Sequence, residues 1–197
     1  MIDTKQKILD AAEHLIAEQG YSGTSLRQII GSAGVNLASI HYHFGSKDDL
    51  LYELVTRKAG PVNEKRLELL DRYAAESNGA PVPIEKILDA FFAPMIATAN
   101  ANPQFVQVMG RIVVEGLLPA VVEKTFQPMF SRFMAALRQN VPDLPEEEFQ
   151  CRIHFMTGVI AHTLVGARGG KFEERIQQLI RFLAAGFRAP GPQEAHK

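Results

Sequence analysis

Three helix-start signals crowd into the stretch SLRQIIGSAGVNLASIHYHFGSKDD, residues 25–49, and their spacing limits what this part of the chain can become. Ser25 with Gln28 three residues on makes a capping box, Asn36 is a capping residue, and Ser46 with Asp49 repeats the box. Between the first two starts, Gly34 can take the left-handed conformation that ends a helix. A short helix, a tight turn at Ala33-Gly34-Val35 and a second short helix make the spacing of a helix-turn-helix, whose second helix can enter a major groove.

The rest of the chain reads as helical too, with no convincing alternating strand pattern. Asp3 with Gln6 caps a first helix over Thr4 to Gln19, whose apolar stripe is Ile8, Ala12, Leu15 and Ile16 and which Gly20 stops. The helix that Ser46 starts runs to about Ala75, with a bend expected near Gly60-Pro61. After the loop-like SNGAPVP at residues 77–83, breaks fall at Asn100 to Pro103, Gly116 to Pro119, Val141 to Pro145 and Gly166 to Lys171. The expected fold is all-α, with about nine helices in total.

A chain of 197 residues with 46% hydrophobic content can bury a real core. Its formal net charge of -1 supplies no general basic excess, so any nucleic-acid contact must be argued locally. The single cysteine, Cys151, cannot close an intrachain disulfide, and the N-terminus lacks the apolar run of a signal peptide. The longest uncharged stretch, Ala90 to Gly110, is too polar for a membrane helix, being broken by Pro94, Asn100, Asn102, Pro103, Gln104 and Gln107. These features predict a soluble, cytoplasmic protein with no membrane partner.

On a helical wheel for Asn36 to Phe44, Ile40 and Phe44 share the packed face, while Ala38 and Tyr42 point away from it, flanked by Ser39 and His41. Small and hydrogen-bonding side chains of this kind suit close approach to phosphates and base edges. The motifs Gly20-Tyr21, Thr24-Ser25-Leu26-Arg27, Ala33-Gly34-Val35 and Tyr42-His43-Phe44-Gly45-Ser46-Lys47 resemble the TetR family of bacterial transcriptional regulators. That resemblance implies base contacts from Arg27, Leu37, Ala38 and Ser39 and phosphate contacts from Ser25, Tyr42, His43 and Lys47. His41 stands where the family often has Tyr, and its imidazole can still donate one hydrogen bond to DNA. Across residues 1–50, Lys5, Lys7, Arg27 and Lys47 face six carboxylates, a balance of -2 that predicts modest nonspecific DNA affinity.

The C-terminal part carries two further signals. His154, Gly158, Ala161, His162 and Val165 fall on a narrow face, mostly of small residues, and Ile176, Leu179, Ile180, Leu183 and Phe187 form the stripe of the last helix. The resemblance implies that two such helices from each subunit build a homodimer interface; intrachain packing is the other reading. Phe91, Phe92, Met95, Phe105, Met109, Phe130, Phe133, Met134, Phe155 and His162 could line a ligand pocket, although Met and Phe at helical spacing also build ordinary cores. The segments GVNLASIHYHFGSK, RIHFMTGVIAHTL and RFLAAGFRA are similar to a TetR subgroup that includes fatty-acid-degradation regulators. A fatty acid or acyl-CoA is therefore the first expectation for a small apolar effector.

Catalysis finds no support. Gly166 to Lys171 resembles a phosphate loop, but the required glycine falls at Val165 and Phe172 follows the lysine. His41 and His43 sit about 200° apart on their helix and cannot share a metal. The expectation is a non-enzymatic, ligand-responsive transcriptional regulator, a repressor that binds a palindromic operator as a dimer, with no cofactor and no metal. Its DNA-binding domain would span 1–50 and its ligand-binding and dimerisation domain 51–189, followed by a disordered tail over 190–197. A ligand carrier or adaptor with a weak or vestigial DNA-binding module is the alternative.

Overall fold

A computed structural model describes residues 3–165 and 172–191 of the chain. Among these residues every regular element is helical: α1 (Thr4–Gln19), α2 (Leu26–Ala33), α3 (Leu37–His43), α4 (Lys47–Glu76), α5 (Ile84–Ala101), α6 (Pro103–Val114), α7 (Leu118–Val121), α8 (Gln127–Arg138), α9 (Glu146–Val165) and α10 (Phe172–Arg188). A π-helical turn, Val122–Phe126, joins α7 to α8 without a break, so ten α-helical segments make nine rods, as the sequence predicts. The described helix starts follow the capping signals. Asp3 accepts from Lys5 N–H, Ser25 and Gln28 close a reciprocal capping box, and Asn36 accepts from Ser39 N–H. Helix α4 continues through Pro61 as a single element to Glu76, close to the end expected at Ala75. Pro190 and Gly191 are described, while Pro192 onward and the Gly166–Lys171 stretch lie outside the described residues.

The chain divides into two compact units, one running to Asn63 together with Ala97–Gln127, the other comprising Glu64–Ile96 and the described residues from Pro128 onward. The first unit is sealed by Ile8, Leu9, Ile16, Ile29, Ile40, Leu50 and Leu54, all buried. Each contributes roughly 1.5–3 kcal/mol relative to an exposed side chain. Two ion pairs lace α1 to the first half of α4, Lys5 to Glu53 at 2.7 Å and Lys58 to Glu13 at 2.8 Å. Glu13 is buried, and Lys58 supplies the cation that its side chain meets there.

In the second unit, the ring of Phe91 meets those of Phe92 and Phe133 edge-on at 5.3 and 5.5 Å. Arg66 is buried beside them, donating from Nε to the Phe91 carbonyl at 2.8 Å with its guanidinium 4.1 Å above the Phe91 ring. Burial lowers its pKa to about 10. Helices α9 and α10 are locked by Arg152. Its Nη1 donates to the carbonyls of Gly186, Phe187 and Ala189 at 2.8–3.0 Å, Nη2 reaches Pro190 O at 3.3 Å, and Nε pairs with Glu148 at 2.9 Å. The end of α10, whose last carbonyls have no helical donors, is thus satisfied by one buried side chain from α9.

Arg152→Met keeps the aliphatic stem but strands these carbonyls. We expect a loss of about 3 kcal/mol, since each buried acceptor left unpaired costs about 1–3 kcal/mol and neighbouring waters recover part of it. Urea denaturation should show a lower midpoint at unchanged slope; an unchanged midpoint would show that Arg152 contributes nothing net.

Candidate nucleic-acid interface

The α2–α3 turn is built by Gly34, which sits at φ 64° and ψ 37° as the C-cap of α2, with Gly34 N–H and Val35 N–H both donating to Ile30 O. Only glycine takes this left-handed conformation without penalty. Helix α3 closes in the same way, Phe44 and Gly45 donating back to Ile40 O with Gly45 at φ 77°. Ile40 and Phe44 face inward and are buried, and Lys5 Nζ lies 5.8 Å above the Phe44 ring. The opposite face is open: Tyr42 is 86% exposed and Leu37 52%, with Ala38 and His41 also exposed.

The nine residues expected at DNA all belong to the first unit, but they are not equally free. Arg27 is exposed near the start of α2. Ser25 Oγ is shared with Gln28, accepting its N–H at 3.2 Å and donating to its Oε1 at 2.8 Å. Ser39 is half-buried and donates to Asn36 Oδ1 at 3.0 Å, while His41 Nδ1 lies 3.1 Å from Gly45 O. His43 is half-buried, its ring edge-on to Tyr42 at 5.0 Å. Lys47 is turned inward: Nζ donates to Tyr21 O at 2.6 Å and lies 3.9 Å above the Tyr21 ring. Burial depresses the Lys47 ammonium, and Asp48 and Glu115 partly offset this.

Tyr21 and Glu115 are the residues that sequence reasoning missed. The Tyr21 hydroxyl donates to Asp48, and burial followed by that bond pushes the phenol pKa well above its ordinary value. Glu115, the C-cap of α6, accepts from Tyr21 N–H at 2.9 Å and from Ser22 N–H and Oγ–H, each at 2.7 Å. Burial alone would raise the Glu115 carboxyl, but the Ser22 hydroxyl, the two amides and Arg111 outweigh it and hold the group below the usual carboxylate range. The pair Gly20-Tyr21 was a visible signal for the turn; nothing local to Glu115 points to a partner 94 residues away.

The residues expected at a ligand fall in different units. Phe105 and Met109 lie on α6 in the first, and Phe91, Phe92, Met95, Phe130, Phe133, Met134, Phe155 and His162 in the second. Phe92, Phe105 and Phe133 are buried core, Phe91, Met95, Met109, Phe130 and Met134 are half-buried, and Phe155 and His162 are exposed. A cavity of about 360 Å³ lined by Lys65, Glu68, Leu69, Arg72, Ala93 and Pro94 contains none of them. One of about 560 Å³ beside the α8–α9 loop contains none either. Among the described residues, no group of three or more His, Cys, Asp or Glu side chains could hold a metal ion.

The expected dimer residues also separate. Ile176, Leu179, Ile180, Leu183 and Phe187 are buried within their own chain, the intrachain packing that was the other reading of this stripe. An apolar stripe at three- and four-residue spacing packs on the nearest apolar neighbour, which here its own chain provides. His154, Gly158 and His162 of α9 are exposed, and a side-chain carbon built on Gly158 would meet nothing within 4 Å. The side chains of Ala161 and Val165 lie outside the described residues. Two large apolar groups that were not expected at an interface stand out from these helices, Phe155 of α9 at 64% exposure and Phe182 of α10 at 66%.

Residues 8–54 match the family model of bacterial regulatory proteins of the tetR family, and residues 89–186 match that of the tetracyclin repressor-like C-terminal domain. The HTH-type transcriptional regulator AcrR of Shigella flexneri is 38% identical over 82 residues, which is 42% of this chain and 36% of that relative's own length. The fold is similar to that of a tetR family transcription regulator from Shewanella sp. PV-4, with a TM-score of 0.66 at 20% identity over 94% of this chain and 96% of that one. It is also similar to the transcriptional regulator FadR from Bacillus subtilis in complex with stearoyl-CoA, with a TM-score of 0.58 at 16% identity over 91% and 97% of the two chains. No single helix among the described residues is long and apolar enough to cross a membrane. Matched by both models, through the helix-turn-helix and through the C-terminal helices, the chain belongs to the TetR family of bacterial regulatory proteins.

Proposed function

We propose that this protein is a homodimeric, ligand-responsive transcriptional repressor that works in the cytoplasm and reads a palindromic operator with α3. The observation that carries the reading is the two-sidedness of α3: Ile40 and Phe44 anchor it while Tyr42, Leu37, Ala38 and His41 stand out into solvent. A helix so displayed on a helix-turn-helix can lie in a major groove, with Arg27 and the start of α2 on the adjoining backbone or base edges. The exposed face of α9 and α10, with Phe155, Gly158 and Phe182, is the surface proposed for the second copy, because large apolar side chains left in water favour association. For the effector we propose an elongated acyl compound, a fatty acid or acyl thioester. The phenylalanine and methionine content of α5, α6 and α8 and the fold-level likeness to a regulator solved with stearoyl-CoA support that class.

Selection of duplexes from a random-sequence pool tests the central reading, which fails if the protein enriches none. On the selected duplex, Tyr42→Phe should weaken binding several-fold on specific and unrelated DNA alike, because a phosphate contact positions without reading sequence. Arg27→Ala should cost roughly 1–3 kcal/mol on the selected duplex and less on unrelated DNA if it meets a base edge. Ile40→Asp, which attacks the packed face, should instead unfold the head, meaning α1, α2, α3 and the start of α4.

Phe155→Glu combined with Phe182→Glu should leave a folded monomer in sedimentation, with weakened DNA binding; a stable dimer would move the interface elsewhere. Calorimetry across a series of saturated acyl chains should show affinity rising by roughly 0.8 kcal/mol per methylene until the site is filled. Affinity that ignores chain length would remove the acyl reading and leave the regulator reading intact.

A further inference from the structure

The turn between α1 and α2, Gly20 to Thr24, has its polar groups taken by partners from several elements. Thr24 Oγ1 donates to Gly20 O at 2.7 Å from within the turn, and Lys47 from the start of α4 donates to Tyr21 O at 2.6 Å. Both donors on the other side, Tyr21 N–H and Ser22 N–H, go to the Glu115 carboxylate at the end of α6, one to each oxygen. Charge-assisted bonds of this kind are roughly twice as strong as neutral ones. A second strut lies one turn back on α6, where Arg111 donates to Glu18 O at 3.1 Å. The backbone is shaped around the carboxylate. Gly20 holds φ 81°, and a side-chain carbon there would lie 2.3 Å from Glu115 Oε1, so both conformation and space call for glycine. On the α6 side, Gly116 at φ 73° ends the helix where the Glu115 side chain reaches the turn.

We propose that Glu115 is a positioning residue for DNA reading: its carboxylate clamps the α1–α2 turn to the end of α6, so that the head and α6 move as one body. The inference rests on the DNA-binding reading above and deepens it. Glu115 touches no DNA in this account; it acts through Tyr21 and Ser22, which lead directly into the Ser25 cap and Arg27. The head's buried core residues Ile8, Ile16, Ile29 and Ile40 make none of the Glu115 hydrogen bonds, so a head lacking the clamp is expected to stay folded but to be held loosely. A dimer with loosely held heads can still touch phosphates one head at a time. What it loses is the fixed separation that two half-sites demand.

The test uses the full-length protein and the duplex that the wild type selects from a random-sequence pool. Glu115→Ala should bind that duplex about 10-fold more weakly while binding an unrelated duplex within about twofold of wild type. It should also discriminate less against the same duplex with one base pair inserted between half-sites. Glu115→Gln, which keeps one acceptor oxygen, should fall between the two and serves in place of the alanine variant if that variant fails to fold. Amide hydrogen exchange reads the clamp itself: Tyr21 and Ser22 should exchange at least about 10-fold faster in Glu115→Ala, with the amides of Leu50 to Val55 unchanged. Unchanged amide exchange overturns the clamp. Faster exchange with unaltered operator affinity and unaltered spacing discrimination overturns its role in reading. A wild type that selects no duplex overturns the DNA-binding reading and this proposal with it, a result distinct from either.

Discussion

Helix α3 has seven residues, too few to be helical in water on its own, so its existence depends on the burial of Ile40 and Phe44. Those two side chains, four residues apart, turn one face inward and thereby present Tyr42, Ala38 and Leu37 to solvent. The left-handed glycines at 34 and 45 make this possible by letting the chain enter and leave the helix without extra residues. Remove the buried contacts and the cap at Asn36 would hold only a fraying turn. The proposed reading surface is therefore a consequence of core packing before it is a matter of polar chemistry.

The electrostatics of the head follow from the same economy. Counted along residues 1–50 the balance is -2, yet Glu13 is buried against Lys58, a cation from beyond that stretch. Lys5 is paired with Glu53, and Lys47 spends its donors on the Tyr21 carbonyl and ring. Few cations are left to meet phosphate nonspecifically, so the proposed DNA reading would lean on hydroxyls, Arg27 and the doubling that the proposed dimer would supply. Lys47 shows the trade most directly: by the family resemblance it would hold phosphate, and here it holds the α1–α2 turn in place.

Much of the architecture was legible along the chain. Caps at Asp3, Ser25 and Asn36 are local signals, carried by side chains that bond the backbone two or three residues away, and each is found where the residue pattern predicts it. The inward face of α3 was legible for the same reason, since helical period alone assigns Ile40 and Phe44 to one side. The α10 stripe was legible as apolar but not as to its partner. Ile176, Leu179, Ile180, Leu183 and Phe187 have the spacing of any buried face, and period cannot say whether the covering surface belongs to the same chain or to a second copy. The outward Phe155 and Phe182 became visible only once the buried faces were known.

The helical class, the helix-turn-helix, the residues on the outer face of α3 and the family could all be read along the chain, because these rest on caps, turns and a 3.6-residue period that act within a few residues. That α6 belongs with the head, that Lys47 turns inward, that Arg152 closes the end of α10 and that Glu115 grips Tyr21 and Ser22 emerged from the packed chain alone. Those contacts join residues up to 94 positions apart. A carboxylate, an ammonium or a guanidinium carries no mark in the sequence of which distant carbonyl or amide it will meet; packing of the apolar faces brings the partners together first, and the hydrogen bonds form with whatever is then in reach.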